Sequence, residues 1–242
     1  MIAIETNQLT KNYGETQAVK NISLTVKKGE VLSILGINGA GKSTLIKMLS
    51  CILKPTSGKG KVFGYDLLQQ PEQVKKLIAV SPQETAIAPN LTVYENLELL
   101  AGIHGFSKKR RKKKLEEIIL QFSLEEFRNQ RAKTLSGGWK RRLSIATALI
   151  SDPDMLFLDE PTLGLDILAR RELWEMIESL KEEVTIIFTT HYMEEAEALS
   201  DRICILKQGQ VNALGTSEEL IAQTNTESFE DAFITLVKEV RI

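Results

Sequence analysis

An eight-residue run, GINGAGKS (Gly36–Ser43), constrains this chain more than any other feature. Before it, Val31 to Leu35 is mostly apolar and predicts a buried strand. After it, a helix is predicted to open near Lys42 with Leu45, Ile46 and Leu49 on one face. The run fits G-x-x-x-x-G-K-[ST] in the strand–loop–helix context that this pattern requires. Gly36, Gly39 and Gly41 carry no Cβ, so backbone amides can close around phosphate oxygens. The helix N-terminus adds its positive dipole end. Lys42 reaches the β- and γ-phosphates of a nucleotide, and the Ser43 hydroxyl can ligate Mg²⁺. The candidate phosphate-binding set is therefore Gly36, Asn38, Gly39, Ala40, Gly41, Lys42, Ser43 and Thr44.

The rest of the chain predicts an α/β fold. In the first third, short strands alternate with turn residues. ISLTV (Ile22 to Val26) alternates as a half-buried strand does, Lys28-Gly29 makes a turn, and Pro55 and Gly58 end the first unit. From Thr92 to about Phe127 the spacing turns helical, with Leu97, Leu100, Ala101 and His104 on one helix and Ile118, Ile119 and Phe122 on another. This predicts a helical subdomain over about 91–150, inserted in one α/β domain spanning 1–242. The α/β alternation then resumes. Strands are expected at Met155–Leu158, Thr185–Phe188 and Ile203–Leu206, helices at Arg170–Leu180 and Met193–Leu199, and a turn at Gly209. A short helical tail over about 228–242 shows Phe229, Phe233, Leu236 and Val237 on one side.

A second candidate is MLFLDE (Met155–Glu160), an apolar strand ending in two acids at a sheet edge. Beside a phosphate loop, Asp159 can hold Mg²⁺ through a water and Glu160 can polarise an attacking water. Taken alone, the segment fits an ordinary buried strand equally well.

With LSGG at Leu135–Gly138, the sequence resembles the nucleotide-binding subunit of ATP-binding-cassette (ABC) transporters. LSGGWKRRLSIATALI is similar to that family's signature segment, and the resemblance covers about residues 2 to 222. It implies an ABC ATPase fold: a P-loop core with an N-terminal antiparallel β part and the helical insert. It also implies ATP and Mg²⁺ as ligands. Tyr13 stands at the place of the adenine-stacking aromatic; read without the motifs, it is a plain strand aromatic. Gln83, in VSPQ, matches the glutamine loop, and His191, after the strand TIIFTT, matches the switch histidine; a lone histidine there would otherwise be structural. Glu160, His191 and Gln83 are thus the implied catalytic residues, and Ser43, Gln83 and Asp159 the implied metal ligands. PTLGLD (Pro161–Asp166) resembles the loop that crosses to a partner subunit. The family works as a head-to-tail dimer. Ser136, Gly137, Gly138 and Asp166 would then meet the nucleotide held by the other subunit, a second copy or a related ATPase. Two residues depart from the pattern: Trp139 replaces the usual Gln of the signature, and Leu163 the usual Ser of the crossing loop.

Ser136 is a suitable N-cap for a helix opening at Gly137. Lys140, Arg141 and Arg142 follow in its first turns, where cations are unfavourable. Either a visiting anion offsets them or they splay into solvent. The run KKRRKKK (Lys108–Lys114) reads as a solvated helix face, and it could also meet acidic lipid headgroups or an acidic partner segment. His104 has no assigned role.

Composition excludes several classes. Lys+Arg is 31 against Asp+Glu 32, a net charge of -1, so no global nucleic-acid binder is indicated. Two cysteines, Cys51 and Cys204, are too few for a disulfide scaffold and are expected to be buried thiols. There is no apolar stretch long enough to span a bilayer and no secretory leader, so a cytoplasmic chain, peripheral on the inner face of the cell membrane, is expected. A transport path would then belong to separate transmembrane permease subunits, docking on Ala86, Ile87, Ala88, Pro89 and the start of the helical subdomain. HYMEEAEALSDRICILKQGQVNALGT and FEDAFITLVKE resemble ATPase subunits of exporters for drugs, lipids and polysaccharides, so export is expected over import. Cassette ATPases acting on DNA or ribosomes are the alternatives. The first would need a long coiled coil between Ser43 and Ser136, and the second normally carries two cassettes.

Overall fold

The computed structural model describes residues 1–181 and 183–238. The chain opens with β1 (Ile2–Tyr13), β2 (Thr16–Ile22) and β3 (Thr25–Lys27), followed by β4 (Val31–Leu35) and α1 (Lys42–Leu49). Next come β5 (Ser57–Val62), β6 (Tyr65–Asp66), α2 (Pro71–Leu77) and β7 (Ile78–Ser81). Three helices then intervene: α3 (Val93–Ile103), α4 (Lys108–Gln121) and α5 (Gly137–Ala148). The α/β alternation resumes with β8 (Met155–Asp159), α6 (Ile167–Ser179), β9 (Thr185–Thr190), α7 (Met193–Leu199), β10 (Arg202–Lys207) and β11 (Gln210–Gly215). Helices α8 (Ser217–Thr224) and α9 (Phe229–Val237) end the described chain.

Two sheets form. The larger has the order β11-β10-β4-β9-β8-β7. Its strands β10, β4, β9, β8 and β7 run parallel, and β11 is antiparallel to β10. All residues of β4, β8 and β9 are buried, as expected for parallel strands covered on both faces. Alternate side chains enter different cores. Leu156, Leu158, Ile186 and Phe188 join the helical side with α3 to α6, whereas Met155, Phe157 and Ile187 join the side of α1 and the second sheet. That second sheet is antiparallel, with the order β2-β1-β5-β6 and β3 also paired to β1.

Local chemistry sets the helix starts. Thr92 closes a capping box with Glu95 ahead of α3, and Ser107 accepts from Arg110 N at the start of α4. Several boundaries differ from those the sequence predicts. ISLTV buries Ile22, Leu24 and Val26 as its alternation requires, but the ladder breaks at Ser23–Leu24 as the chain passes from β2 to β3. Gly58 does not end a unit. It lies inside β5, where an added Cβ would sit 2.2 Å from Gln8 O of β1, and its φ is +84°. α2 and α8 fall where the sequence predicts no helix. The tail helix is present as α9, packed with Phe229 and Ala232 buried; residues 239–242 of the expected tail lie outside the described residues. Cys204 is fully buried and its thiol is pushed up to about 12 by desolvation, but Cys51 is only half-buried after α1.

Candidate active site

The sheet order brings the candidate residues together. Strands β4, β9, β8 and β7 are neighbours, and each ends at the same edge, the usual ligand edge of such sheets. Register pairs Leu35 with Thr190 and Asp159 with Thr189. The phosphate loop, His191, Asp159-Glu160 and the segment leading to Gln83 therefore leave adjacent strand ends. One cleft of about 390 Å³ has Asn38, Gly39, Ala40, Gly41, Lys42, Ser43, Thr44, Gln83, Glu160 and His191 on its wall, together with Ala18 and Leu163; Gly36 and Asp159 are not on that wall.

Glycine is required at two positions of the loop. A Cβ on Gly36 would lie 2.5 Å from Leu206 O, and one on Gly41 2.5 Å from Ala18 O, with φ at +103°. Gly41 is also the residue from which α1 starts. Lys42 is buried, and its Nζ donates to Gly36 O at 2.7 Å and lies 3.3 Å from Glu160 Oε1. Ser43 Oγ donates to Asp159 Oδ1 at 3.1 Å. Glu160 Oε2 accepts from His191 Nδ1 at 2.7 Å. Glu160 adopts φ +48°, a conformation that L residues rarely hold. Its N–H reaches Thr189 Oγ1 at 3.0 Å and Thr189 O at 3.2 Å, while the Thr189 hydroxyl donates to Asp159 Oδ1 at 2.5 Å.

Other predicted residues lie apart from this cleft within one chain. Tyr13 is 49% exposed at the end of β1, with Lys11 Nζ 5.4 Å from its ring centroid. Ser136 holds the N-cap position of α5, but its hydroxyl makes no cap hydrogen bond; it and Gly137 face solvent. Gly138 packs against α6, where a Cβ would lie 3.0 Å from Ala169 Cβ. Asp166 caps α6 by accepting from Ala169 N at 3.0 Å. Trp139 stacks on Phe127, centroids 4.3 Å apart, with the Arg142 guanidinium 4.4 Å from its ring, so it belongs to the helical packing.

Two of the basic residues of α5 do not splay into solvent. Arg142 pairs with Glu172 at 3.0 Å, and Arg141 turns inward to 4% exposure. Burial lowers the Arg141 value to about 10, opposed by the charges of Asp159 and Glu195, and leaves it a cation at neutral pH. In the KKRRKKK run, Arg110 and Lys114 pair with Asp152, Arg111 with Glu98 and Lys113 with Glu117. His104 ends α3 as its C-cap residue.

Sequence reasoning missed Thr189, Ala18 and Glu195. Thr189 was signalled by the two polar residues that close the otherwise apolar strand TIIFTT. Ala18 carries no local signal, because its carbonyl meets Gly41 only through tertiary packing. Glu195 is fully buried and accepts from Trp174 Nε1 at 3.3 Å, and desolvation pushes its carboxyl up.

The family model for the ABC transporter matches residues 19–163. The chain is 43% identical over 219 residues to the daunorubicin/doxorubicin resistance ATP-binding protein DrrA of Streptomyces peucetius, covering 90% of this chain and 66% of that protein. It is 37% identical over 246 residues to the linearmycin resistance ATP-binding protein LnrL of Bacillus subtilis, covering 98% of this chain and 79% of that one. Among solved structures, the dimeric post-hydrolysis state of an ATP-binding cassette bound to ADP and phosphate superposes with a TM-score of 0.78 at 31% identity, covering 88% of this chain and 98% of that one. With its phosphate loop, acidic strand end and histidine at one sheet edge, and with these likenesses along most of its length, the chain belongs to the ABC transporter family as one of its nucleotide-binding ATPase chains.

Proposed function

We propose that this chain binds ATP and magnesium in the Gly36–Thr44 cleft, hydrolyses the ATP, and drives export through separate membrane subunits. The observation that carries the reading is the convergence of Lys42, Glu160 and His191 on one cleft, with Lys42 Nζ 3.3 Å and His191 Nδ1 2.7 Å from the same carboxylate. A γ-phosphate gripped by Lys42 would lie beside that carboxylate. Glu160 accepts the proton of the attacking water, and His191 holds the carboxylate in orientation. Loop amides and Lys42 oppose the charge on the phosphates.

The residues present fit magnesium. Ser43 Oγ and Asp159 Oδ1, both hard oxygen donors, are 3.1 Å apart, and Gln83 lines the same cleft. Among the described residues no cluster of three His, Cys, Asp or Glu side chains could cage a metal alone. One carboxylate and one hydroxyl suit an ion that takes its other ligands from phosphates and water. Ser43 and Asp159, with Gln83, would hold it, and it would neutralise charge between the β- and γ-phosphates.

Two copies, or this chain and a related ATPase, pair head to tail so that Ser136, Gly137, Gly138 and Asp166 meet the nucleotide held by the other subunit. In support, Ser136 and Gly137 stand exposed at a helix N-terminus. In the crossing loop and the first turn of α6, Leu163, Ile167 and Leu168 are 41%, 73% and 73% exposed, apolar side chains of the kind that mark association. No helix among the described residues is long and apolar enough to cross a membrane, in keeping with a transport path on other polypeptides and a place on the cytoplasmic face of the membrane. The Ala86–Pro89 segment, exposed at both ends, is the proposed docking surface. Export follows from likeness to ATP-binding proteins named for drug resistance.

Glu160→Gln is the test. The amide keeps the size of the side chain but cannot take a proton, so hydrolysis should fall about 10²–10⁴-fold while ATP binding persists. Light scattering during gel filtration should show a dimer with Mg-ATP and a monomer with ADP. Hydrolysis at the parental rate would remove Glu160 from the mechanism.

A further inference from the structure

Arg141 is the buried cation that the mechanism above does not use. Its side chain leaves α5 and crosses to the sheet edge behind the cleft, where it is 4% exposed. Nε donates to Pro161 O at 2.9 Å and Nη2 to Asp159 O at 3.0 Å, while Nη1 donates to Pro82 O. Those three carbonyls have particular places in the chain. Residues 159 and 161 flank Glu160, and residue 82 precedes Gln83. All three acceptors are backbone carbonyls, and no carboxylate lies within ion-pair distance of Arg141 among the described residues; the charges of Asp159 and Glu195 offset only part of the cost of removing the cation from water. A filler side chain of the same volume would avoid that cost, so the guanidinium is there for its directions. Its planar fork aims donors at three segments at once, which an ammonium on a flexible stem does not reproduce.

Glu160 needs such a hold. Its φ of +48° is strained for a residue with a Cβ, and strained conformers persist only where the surroundings fix them. Thr189 takes its N–H, and Arg141 takes the carbonyls on either side. We propose that Arg141 is a positioning residue for hydrolysis: through the carbonyls of residues 159 and 161 it fixes the backbone that aims the Glu160 carboxylate, and through Pro82 it ties that backbone to the segment before Gln83. Because Arg141 stands one turn into the helix that begins at Ser136-Gly137, displacement of the helix N-terminus is transmitted to the backbone around Glu160. This inference rests on the reading of Glu160 as the water-activating group.

The test is a double-mutant cycle between Arg141→Lys and Glu160→Gln, read as single-turnover ATP hydrolysis. KM and the affinity for ADP are measured alongside, with thermal melting to confirm folding. Arg141→Lys should lower the rate about 10- to 100-fold, the loss expected from misplacing a reacting group by an ångström, with KM and ADP affinity within about twofold of the parent. In the Glu160→Gln background the same change should cost less than about twofold, because the group being positioned is already disabled. Where the lysine variant fails to fold, Arg141→Gln takes its place: it removes the buried charge and keeps two N–H donors. A parental rate in a folded Arg141 variant overturns the proposal, as does equal loss in both backgrounds, which would show that Arg141 acts apart from Glu160. Loss of ADP affinity in step with the rate also overturns it, marking a general collapse of the site. If Glu160→Gln itself keeps the parental rate, the reading of Glu160 fails, and the positioning role fails with it.

Discussion

Gly41→Ala tests whether the phosphate loop is held by tertiary contact or only by its own sequence. The new methyl meets two obstacles. At φ +103° an L residue is strained, and left-handed conformations cost about 1–2 kcal/mol for a residue with a Cβ. The methyl would also stand 2.5 Å from Ala18 O, a backbone atom of β2. That carbonyl cannot easily retreat, since β2 is paired to β1 through Val19 and Lys11, and Lys20 N donates to Gly209 O at 2.7 Å. The loop must move instead, and the two terms together should reach about 2–4 kcal/mol, split between stability and nucleotide binding. Gly39→Ala is the internal control. Its φ of +82° carries the same kind of strain, but nothing lies within 4 Å of its added Cβ, so only about 1–2 kcal/mol is expected. The assay is urea denaturation of both variants with and without Mg-ATP, alongside titration with a fluorescent ATP analogue. Gly41→Ala should show the lower denaturation midpoint, the weaker binding, or both. If the two variants are indistinguishable in midpoint and affinity, the contact with Ala18 does not shape the loop.

Trp139→Gln should retain ATP hydrolysis and lose about 0.5–1.5 kcal/mol of stability, because the indole packs on Phe127 and does not line the cleft; a dead enzyme with parental stability would refute this. Tyr13→Ala should weaken ATP binding by about 1–3 kcal/mol by analogy with bases stacked on aromatics, with a smaller effect on stability since the residue is 49% exposed; unchanged affinity would rule out stacking. Burial raises the Glu195 carboxyl above its ordinary value, so its stabilising contribution is complete below the unfolded carboxylate value of about 4.3 and is lost as pH rises through the folded one. Glu195→Gln should therefore gain stability relative to the parent at pH 7, with the advantage shrinking on acidification, and parallel stability–pH curves would contradict the assignment.

Much of the site was legible in the sequence because its chemistry is local. A phosphate loop needs glycines, a lysine and a hydroxyl within eight residues, and these are consecutive from Gly36 to Ser43. Asp159 and Glu160 follow an unbroken apolar strand, and β4, β8, α1 and α5 begin within a residue or two of the places that their patterns predict. The membership of the cleft was a different matter. Sheet order sets β4 beside β9 and β9 beside β8, so Lys42, His191 and Glu160 meet although they are far apart in the chain. Periodicity does not encode strand order.

Contacts made by long side chains and backbone carbonyls were the least legible. The charges at Lys140, Arg141 and Arg142 read either as a site for a visiting anion or as solvated side chains, yet Arg141 points to the sheet edge and Arg142 stacks on Trp139. A helix face is assigned from sequence by the hydrophobicity of its residues, and a buried guanidinium looks the same as an exposed one by that measure. Ala18 was hidden for a similar reason, since it acts through a carbonyl oxygen that every residue possesses, whereas the strand-end hydroxyl of Thr189 was visible but its partner Asp159 was not. By itself the sequence determined the loop that grips phosphate and the acids that follow the apolar strand, because those functions belong to adjacent residues. The tertiary structure alone decided which groups hold Glu160 in its strained conformation, because Thr189 reaches its N–H only through the pairing of β9 with β8, and Arg141 reaches the flanking carbonyls only when α5 packs against the edge of the parallel sheet.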